Sequence, residues 1–484
     1  MLCRGRLRTV QGYESTIAAI STAVSNAGIG IVRMSGPEAF EIADRVYEGK
    51  KGKRLGSQPS HTIHYGYIKD GEQTVDEVLV MLMRGPHSYT GEDTVEINCH
   101  GGVYVVKRIL EILIGKGARP AEPGEFTKRA FLNGRMDLSQ AEAVGDLISS
   151  RNQYALRNSV SQLKGNIKHK ITEIRKEIIY HTAFIETALD DPEHISVDGY
   201  GEELREVVEK LMTDIQKLAD TYDSGRIIKE GIQTVILGKP NAGKSSLLNI
   251  LLGEERAIVT DIAGTTRDIL EEHINLKGIS LNIVDTAGIR KTQDVVEQIG
   301  VDRAKTYAGQ ADLIIYVIDA SSPLDENDYE ILRLIEEKTS IILLNKSDLD
   351  TIVTEEDVEK AYYASNPSKK CGKEINKFAI PVISISAIEK SGIDALEETL
   401  KLIFYEGNLS FNDEIYITNA RHKTALRDAY SSLEKVMQSI EAGMPEDFYS
   451  IDLLDAYEAL GRITGETMGE DLINEIFSKF CMGK

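Results

Sequence analysis

The sequence has few cysteines and no long apolar run, and both shortages limit what the protein can be. Its four cysteines lie far apart and lack the spacing of metal ligands, which argues against disulfides and zinc and for a reducing compartment. No apolar run approaches the roughly 18 residues of a membrane span, and the basic N-terminal stretch lacks the apolar core of a secretory signal. We therefore expect a cytoplasmic protein without membrane contact. The cysteines are Cys3, Cys99, Cys371 and Cys481.

Length and charge set further limits. At 484 residues the chain is much longer than one hydrophobic core requires, so we expect about three domains. The formal net charge is −21. Because nucleic acid is a polyanion, such a chain repels it on average, and any RNA contact requires a local basic patch or a partner protein.

The first part of the chain has the pattern of a mixed α+β domain. Between residue 16 and about residue 133, short β-like runs alternate with turns. Asp70-Gly71 is typical of a hairpin turn, and residues 103–115 have the pattern of one helix. The predicted strands are 29–34, 62–68, 77–83 and 94–98.

Helical patterns cover residues 138–222 and return after residue 412, with alternating strands and helices over about 230–405 between them. The C-terminal helices are too few to bury their own apolar faces, so we expect them to pack on the helices before residue 222. The middle segment would then be an insertion in one discontinuous helical domain. Three independent modules in a row remain an alternative. One long apolar stripe in the first block is formed by Val160, Leu163, Ile167, Ile171, Ile174 and Ile178.

A phosphate-binding motif opens the middle segment. The apolar run 234–237 leads directly into 238–245, GKPNAGKS, and a helical pattern follows. This is GxxxxGK[ST] between a strand and a helix, the context that the motif requires. Its main-chain N–H groups would surround the phosphates at a helix N-terminus, Lys244 would reach the β- and γ-phosphates, and Ser245 would hold Mg²⁺.

Three further motifs follow in order. Residues 285–288, DTAG, end an apolar run and would face the metal and the γ-phosphate. Asp348, in NKSD at 345–348, can accept hydrogen bonds from guanine N1–H and the exocyclic amine, a pair that adenine lacks. Ser386 and Ala387 would present a main-chain N–H to guanine O6. Residues 264–268, GTTRD, lie where a switch loop supplies a threonine to Mg²⁺, and we select Thr266.

The residue after DTAG bears on how GTP would be hydrolysed. Ras-like enzymes place there a glutamine that orients water, and Ile289 has no polar group for that task. Either hydrolysis is very slow, or another group replaces the glutamine. The nearby candidates for that group are Arg290, Glu297 and Arg267. Alternatively, the Asn241 side-chain oxygen would help to hold a monovalent cation where an arginine finger otherwise sits. Glu297 would then position the water, although on the residues alone a solvated helix charge is the slightly favoured interpretation of Glu297.

These features together resemble the tRNA modification GTPase family MnmE (TrmE), of the TrmE-Era-EngA-like GTPase superfamily. The resemblance rests on Asn241 among the G motifs, the GTTRD loop, the run PGEFTKRAFLNG at 123–134 and the C-terminal FCMGK at 480–484. It covers nearly the whole chain. The last two segments are much more specific than the G motifs, which many GTPases share.

The resemblance implies a fold and a domain order. It implies an α+β N-terminal domain at 1–133, similar to tetrahydrofolate-binding aminomethyltransferases, which also forms a homodimer. It further implies a discontinuous helical domain at 134–228 and 407–484, and an inserted P-loop G domain at 229–406.

The resemblance also implies an activity. With a flavoprotein partner, MnmG (GidA), in a heterotetrameric complex, the family adds a carboxymethylaminomethyl or aminomethyl group to the wobble uridine of certain tRNAs. K⁺-dependent pairing of two G domains activates GTP hydrolysis, and a tetrahydrofolate derivative, in the 5-formyl or methylene form, is the one-carbon cofactor.

Site residues follow from the same resemblance. Glu297 is implied as catalytic, and Mg²⁺ is implied on Ser245 and Thr266. The implied K⁺ ligands are Asn241, Thr260, Ile262 and Thr265. The implied GTP-binding set comprises Asn241, Ala242, Gly243, Lys244, Ser245, Ser246, Thr260, Asp261, Ile262, Ala263, Gly264, Thr265, Thr266, Asp285, Thr286, Ala287, Gly288, Asn345, Lys346, Asp348, Ser386 and Ala387.

The implied folate site consists of Arg33, Glu96, Arg135 and Lys484. The two arginines would pair with the glutamate-tail carboxylates, and Glu96 would accept from the pterin amine. Surface ion pairs are the alternative interpretation of these charges. Cys481 is a possible one-carbon site, and a small buried apolar residue is its alternative.

Two other functions remain open at this point. An Era- or Der-like ribosome-assembly GTPase shares NAGKSS and GTTRD, but would need a basic KH-like module with a GxxG loop, which the acid-rich C-terminal block lacks. The second alternative is a non-enzymatic, nucleotide-gated module that holds folate and a partner protein.

Overall fold

The computed structural model of the protein describes residues 15–194, 199–254, 271–276, 278–284, 308–336, 338–366, 380–406, 415–480 and 483. The chain divides into two compact units. Unit 1 comprises Met1–Ile148, Ser159–Ile215 and Thr424–Lys484, and unit 2 comprises Ser149–Asn158 and Gln216–Lys423. The three expected domain boundaries stay a prediction.

The strands and helices are numbered in chain order. The strands are β1 Ile17–Ile20, β2 Ala27–Ser35, β3 Tyr47–Gly49, β4 Thr62–Asp70, β5 Gln73–Met83, β6 Thr94–Gly101, β7 Arg119–Pro120, β8 Ile232–Leu237, β9 Glu271–Leu276, β10 Ile279–Val284, β11 Leu313–Asp319, β12 Ser340–Asn345 and β13 Val382–Ser384. The helices are α1 Ala39–Asp44, α2 Val103–Gly115, α3 Glu125–Leu132, α4 Leu138–Ser149, α5 Gln153–Leu163, α6 Asn166–Asp190, α7 Tyr200–Asp220, α8 Tyr222–Glu230, α9 Lys244–Glu254, α10 Glu326–Leu334, α11 Glu355–Ser365, α12 Ile393–Lys401, α13 Ala420–Glu441, α14 Glu446–Thr464 and α15 Glu470–Ser478.

Unit 1 contains a seven-stranded sheet in the order β3-β4-β5-β6-β2-β1-β7, antiparallel except for the parallel β1–β7 pair. Helices α1 and α2 cover one face, where Ile42, Ile109 and Leu113 pack against buried strand residues such as Val32 and Ile97. The opposite side chains of each strand are more exposed, as the alternation of a sheet with one covered face requires.

Most local predictions for this part are confirmed. All four predicted strands form, each extended by one to four residues at its ends, and α2 has the predicted bounds. The hairpin turn is confirmed as well, because Asp70 pairs with Gln73 and Gly71 has a φ of 60°. The short strands β1, β3 and β7 were not predicted, since runs of two to four residues carry too little pattern.

The apolar stripe that begins at Val160 belongs to two helices rather than one. The chain breaks between α5 and α6 at Gly165, whose φ of 91° is left-handed. Helix α14, from the C-terminal part of the chain, packs along α6 within unit 1. Across this contact Arg175 donates to Glu466 at 2.6 Å, and its guanidinium lies 4.0 Å from the centre of the Tyr457 ring.

Unit 2 is built on a six-stranded sheet in the order β13-β12-β11-β8-β10-β9. All neighbours are parallel except β9 and β10, which pair antiparallel. The central strands β8, β11 and β12 are nearly continuous apolar runs, as expected for parallel strands that are buried on both faces. Loops that follow such strands meet at one edge of the sheet, and this edge positions the candidate site.

The described residues have neither a membrane-spanning helix nor a cluster of metal-binding side chains. Within residues 15–194, 199–254 and the later described segments, no helix is both long and apolar enough to cross a bilayer. The same residues contain no group of three or more histidine, cysteine, aspartate or glutamate side chains placed to hold a metal ion.

Candidate functional site

The phosphate-binding motif forms the loop between β8 and α9, and its glycines are required by close contacts. A Cβ on Gly238 would lie 2.4 Å from the Val317 carbonyl oxygen, and one on Gly243 would lie 1.9 Å from Asn345 Nδ2. Both glycines have positive φ, and so does Asn241 at 61°. The loop therefore has the compact shape in which successive main-chain N–H groups can surround a phosphate.

Lys244 lies at the start of α9 with its side chain folded back over this loop. Its Nζ donates to the carbonyl oxygens of Gly238 at 2.6 Å and Lys239 at 2.7 Å. Burial lowers the pKa of this ammonium group below its ordinary value. Ser245 and Ser246, in the same first helical turn, are exposed, as is Asn241. An anion at this helix N-terminus would meet one cation and several accessible polar groups.

Asn345 connects three of the predicted motifs. Its Nδ2 donates to the Ala242 carbonyl at 2.8 Å, and its Oδ1 accepts from the Ala387 main-chain N–H at 3.2 Å. The side chain is 1% exposed, so both hydrogen bonds are protected from water. The phosphate loop, NKSD and Ser386-Ala387 are thus brought together at one edge of the sheet.

The predicted base-reading carboxylate is held by a neighbour from another strand. Asp348 is half-buried, and its Oδ1 accepts a 2.5 Å hydrogen bond from the hydroxyl of the buried Ser386. A carboxylate has a second oxygen, which can accept from a ligand. The geometry suits recognition of a group that carries two adjacent donors.

Asp319, at the end of β11, belongs to this edge and was missed from the sequence. It accepts from Lys346 Nζ at 2.5 Å, and from the hydroxyl and main-chain N–H of Ser321. Burial raises the pKa of Asp319, but these hydrogen bonds outweigh it and leave the pKa below its ordinary value. The signal that could have identified it is a carboxylate directly after a buried apolar run.

Part of the predicted GTP and metal set lies outside the described residues. Strand β10, parallel to β8, ends at Val284, directly before the DTAG motif. The predicted residues outside the description are Thr260, Asp261, Ile262, Ala263, Gly264, Thr265, Thr266, Asp285, Thr286, Ala287, Gly288 and Glu297, together with Cys481 and Lys484.

A second cluster, in unit 1, contains the other predicted ligand residues. Arg33 on β2 and Glu96 on β6 are cross-strand neighbours, and Arg33 Nε donates to Glu96 Oε1 at 2.7 Å. The guanidinium groups of Arg33 and Arg135 lie 5.4 and 5.0 Å from the centre of the Tyr89 ring. The structure thus brings the two predicted arginines to one aromatic ring that sequence reasoning missed, with Glu96 bonded to one of them.

Phe126 and Thr127, from the run 123–134, and Gly483, from the C-terminal segment, contact this cluster. Phe126 lies 5.6 Å from the Arg33 guanidinium, and Thr127 bonds the Tyr89 hydroxyl at 2.8 Å. The Gly483 carbonyl accepts from the Ser21 hydroxyl at 3.1 Å, and Arg33 Nη1 lies 3.5 Å from it. A Cβ on Gly483 would lie 2.2 Å from the Ile20 carbonyl oxygen, so only glycine fits there.

Comparison with known proteins extends over the same regions. Residues 16–135 match the family described as GTP-binding protein TrmE N-terminus, and residues 138–481 match the MnmE helical domain. The chain is 57% identical over 470 residues to the tRNA modification GTPase MnmE of Lachnoclostridium phytofermentans, a match that covers 97% of this chain and 99% of that protein. It is 50% identical to the protein of that name from Acetivibrio thermocellus and 48% identical to that from Clostridioides difficile, with the same coverage.

Proposed function

The chain belongs to the tRNA modification GTPase MnmE family, and from this premise we propose that it hydrolyses GTP in the modification of the wobble uridine of certain tRNAs. With a flavoprotein partner of the MnmG (GidA) type it would add a carboxymethylaminomethyl or aminomethyl group at C5. We also propose that the protein acts in the cytoplasm, a reducing compartment in line with its four widely separated cysteines. The family assignment replaces the ribosome-assembly alternative, and the described residues after 414 form the helices α13–α15 instead of a KH-like module.

The observation that supports guanine nucleotide binding best is the position of Asn345 between the phosphate loop and the base-reading motif. This contact fixes the distance between the groups that would bind phosphate and those that would bind base. Asp348, oriented by Ser386, would accept from guanine N1–H and the exocyclic amine. The Ala387 N–H already donates to Asn345, so contact with guanine O6 would require this hydrogen bond to be shared.

We assign the cations to the loop and to the segments that follow it. Ser245 and Asn241 are exposed at the loop, so their oxygens are accessible to ions. Mg²⁺ would be held by Ser245 and Thr266, and K⁺ by Asn241, Thr260, Ile262 and Thr265. The cations would supply positive charge at the phosphates, and Glu297 would position water. We also propose that the protein is a homodimer whose G domains pair during hydrolysis.

The cluster in unit 1 is our candidate for a tetrahydrofolate derivative, in the 5-formyl or methylene form. Arg33 is already paired with Glu96, so its contribution would be to orient the Glu96 carboxylate toward the pterin amine. Arg135 is exposed and would meet a glutamate-tail carboxylate. Lys484 completes the proposed set, with Cys481 as a possible one-carbon site.

The experiment that tests the nucleotide assignment is Asp348→Asn. Loss of the carboxylate removes a charged acceptor, so we expect GTP affinity to fall by a factor of roughly 10 to 100, measured by calorimetry. Xanthosine triphosphate should bind better to the variant, because its C2 carbonyl accepts from an asparagine amide. In cells that lack the native gene, this variant should also fail to restore the modified wobble nucleosides, measured by mass spectrometry of tRNA.

Asp350→Asn is the matched control, since Asp350 is an exposed carboxylate two residues away. It should bind GTP and restore the nucleosides as the native chain does. If Asp348→Asn kept the native preference for guanine, the nucleotide assignment would be wrong. Normal wobble nucleosides in cells without the gene would instead contradict the tRNA assignment and leave GTP binding intact.

A further inference from the structure

Asp328, in the first turn of α10, is a buried carboxylate that no part of the proposed mechanism uses. It is 1% exposed and accepts from three donors. Its Oδ1 accepts from the Tyr316 hydroxyl at 2.6 Å. Its Oδ2 accepts from the Asp325 main-chain N–H at 2.8 Å and lies 2.7 Å from Lys239 Nζ. A buried charge with this set of partners has one defined position.

Lys239 joins this carboxylate to the phosphate loop. It is the second residue of the loop, and its side chain points out of the loop to α10, where it is 16% exposed. Its main-chain carbonyl oxygen accepts from Lys244 Nζ. The ion pair with Asp328 therefore fixes the Lys239 side chain, while the Lys239 main-chain carbonyl helps to hold Lys244, the phosphate-binding lysine.

Tyr316 fixes the carboxylate from the sheet side. It is fully buried on β11, opposite Leu237 at the end of β8, and its neighbour Val317 supplies the carbonyl that excludes a side chain at Gly238. Strand β11 thus constrains the start of the loop twice, directly at Gly238 and through Asp328 at Lys239. The second bridge from Lys239, to Asp325 at 3.1 Å, is to a carboxylate that is 52% exposed and is weakened by solvent.

Asp328 has one role that is purely structural, and the chain offers a comparison for it. With Asp325 it forms a capping box at α10, and Thr354 and Asp357 form the same capping box at α11. The α11 carboxylate accepts from the hydroxyl and main-chain N–H of Thr354. Capping accounts for the bond to the Asp325 N–H, but it does not require the contacts with Tyr316 and Lys239.

We propose that the Tyr316–Asp328–Lys239 network is a positioning device for the phosphate loop, with Asp328 as a positioning residue for nucleotide binding. This inference rests on the proposed GTP function. The network holds the Lys239 carbonyl in place. Because Lys244 Nζ donates to this carbonyl, the network also holds Lys244 where it can reach a bound phosphate.

The test is GDP binding and dissociation, followed with a fluorescent GDP analogue, and steady-state GTP hydrolysis. In Asp328→Asn, loss of the charged partner should raise the dissociation constant and the KM by about tenfold, with kcat changed less than about twofold. Lys239→Met should have a similar effect, and Lys239→Arg should keep near-native affinity because it keeps the ion pair. The double variant Asp328→Asn with Lys239→Met should bind no worse than either single variant.

Asp357→Asn is the matched control, because it removes the same carboxylate from the other capping box and should leave GDP affinity unchanged. Circular dichroism establishes that each variant is folded. If Asp328→Asn does not fold, Tyr316→Phe replaces it, and it should weaken binding in the native background but not in Lys239→Met. Native affinity in Lys239→Met, or additive losses in the double variant, would overturn the inference. Failure of the native chain to bind GDP would instead contradict the proposed function.

Discussion

Arg129 illustrates how unit 1 accommodates a charge in its interior. Its side chain is fully buried, and its two terminal nitrogens each lie 3.0 Å from a carboxylate, Glu92 and Glu125. Glu92 also accepts from Ser35, and Glu125 from Arg119. Burial raises the pKa of Glu125, but the arginines and a main-chain N–H outweigh it, and the pKa falls below its ordinary value. The run 123–134, which is specific to the family, thus supplies buried ion pairs that stabilise unit 1.

Arg129→Met is expected to lower the free energy of unfolding by about 3–5 kcal/mol, because it leaves two partly buried carboxylates without their shared cation. Urea unfolding followed by circular dichroism measures this. Arg108→Met is the control, since Arg108 pairs with Asp70 on the surface, and its loss should cost less than about 1 kcal/mol. Equal urea midpoints of unfolding for the two variants would contradict the claim that the buried ion pairs of Arg129 stabilise unit 1.

At the scale of elements, Gly165 decides where one helix ends and the next begins. It lies between α5 and α6 with a φ of 91°, and a Cβ there would meet nothing closer than 3.5 Å. Space is therefore available, and only the left-handed backbone opposes a side chain. The periodicity of the apolar residues continues across the break, which is why the sequence alone shows one stripe.

Gly165→Ala is therefore expected to destabilise the protein by about 1–2 kcal/mol, the cost of a left-handed conformation for a residue with a Cβ. Thermal or urea unfolding of the full chain measures the change. Gly115→Ala, at the end of α2, is the control because that glycine has open space and no positive φ, so its substitution should be neutral or stabilising. A Gly165→Ala variant with unchanged stability would contradict the claim that the left-handed backbone at Gly165 separates the two helices.

At the scale of the whole molecule, the net charge of −21 affects both proposed associations, that with a second copy of the chain and that with tRNA. Because like net charges repel each other, two copies of the chain would approach each other most readily with cations present. A monovalent cation near Asn241 and the phosphates would supply such charge where two G domains meet. The same net charge favours a role for the flavoprotein partner in tRNA binding.

GTP hydrolysis should accordingly be much faster in K⁺ than in Na⁺ at equal ionic strength, and the rate per molecule should rise with protein concentration as G domains pair. Asn241→Ala should abolish the difference between the salts, as measured by phosphate release. Asn249→Ala, an exposed position further along α9, should retain it. Equal native rates in K⁺ and Na⁺ would contradict the cation assignment.

The sequence by itself determined the features that depend on neighbouring residues. A buried strand, a glycine-rich loop and a helix start follow one another within 238–245 and its flanks, so the loop and Lys244 were identified without tertiary information. The alternation in β4 and β5 and the turn at Asp70 and Gly71 are local in the same sense.

Tertiary structure alone decided the contacts between distant segments. Asn345 reaches Ala242 across 103 positions, Arg33 pairs with Glu96 across 63, and Arg175 reaches Glu466 across 291. The sequence shows that these side chains are polar, but not which of them share a buried space. That depends on strand order and helix packing, which arise from the burial of apolar faces over the whole unit. For the same reason the contacts of Tyr89 and Asp328 became visible only in the folded chain.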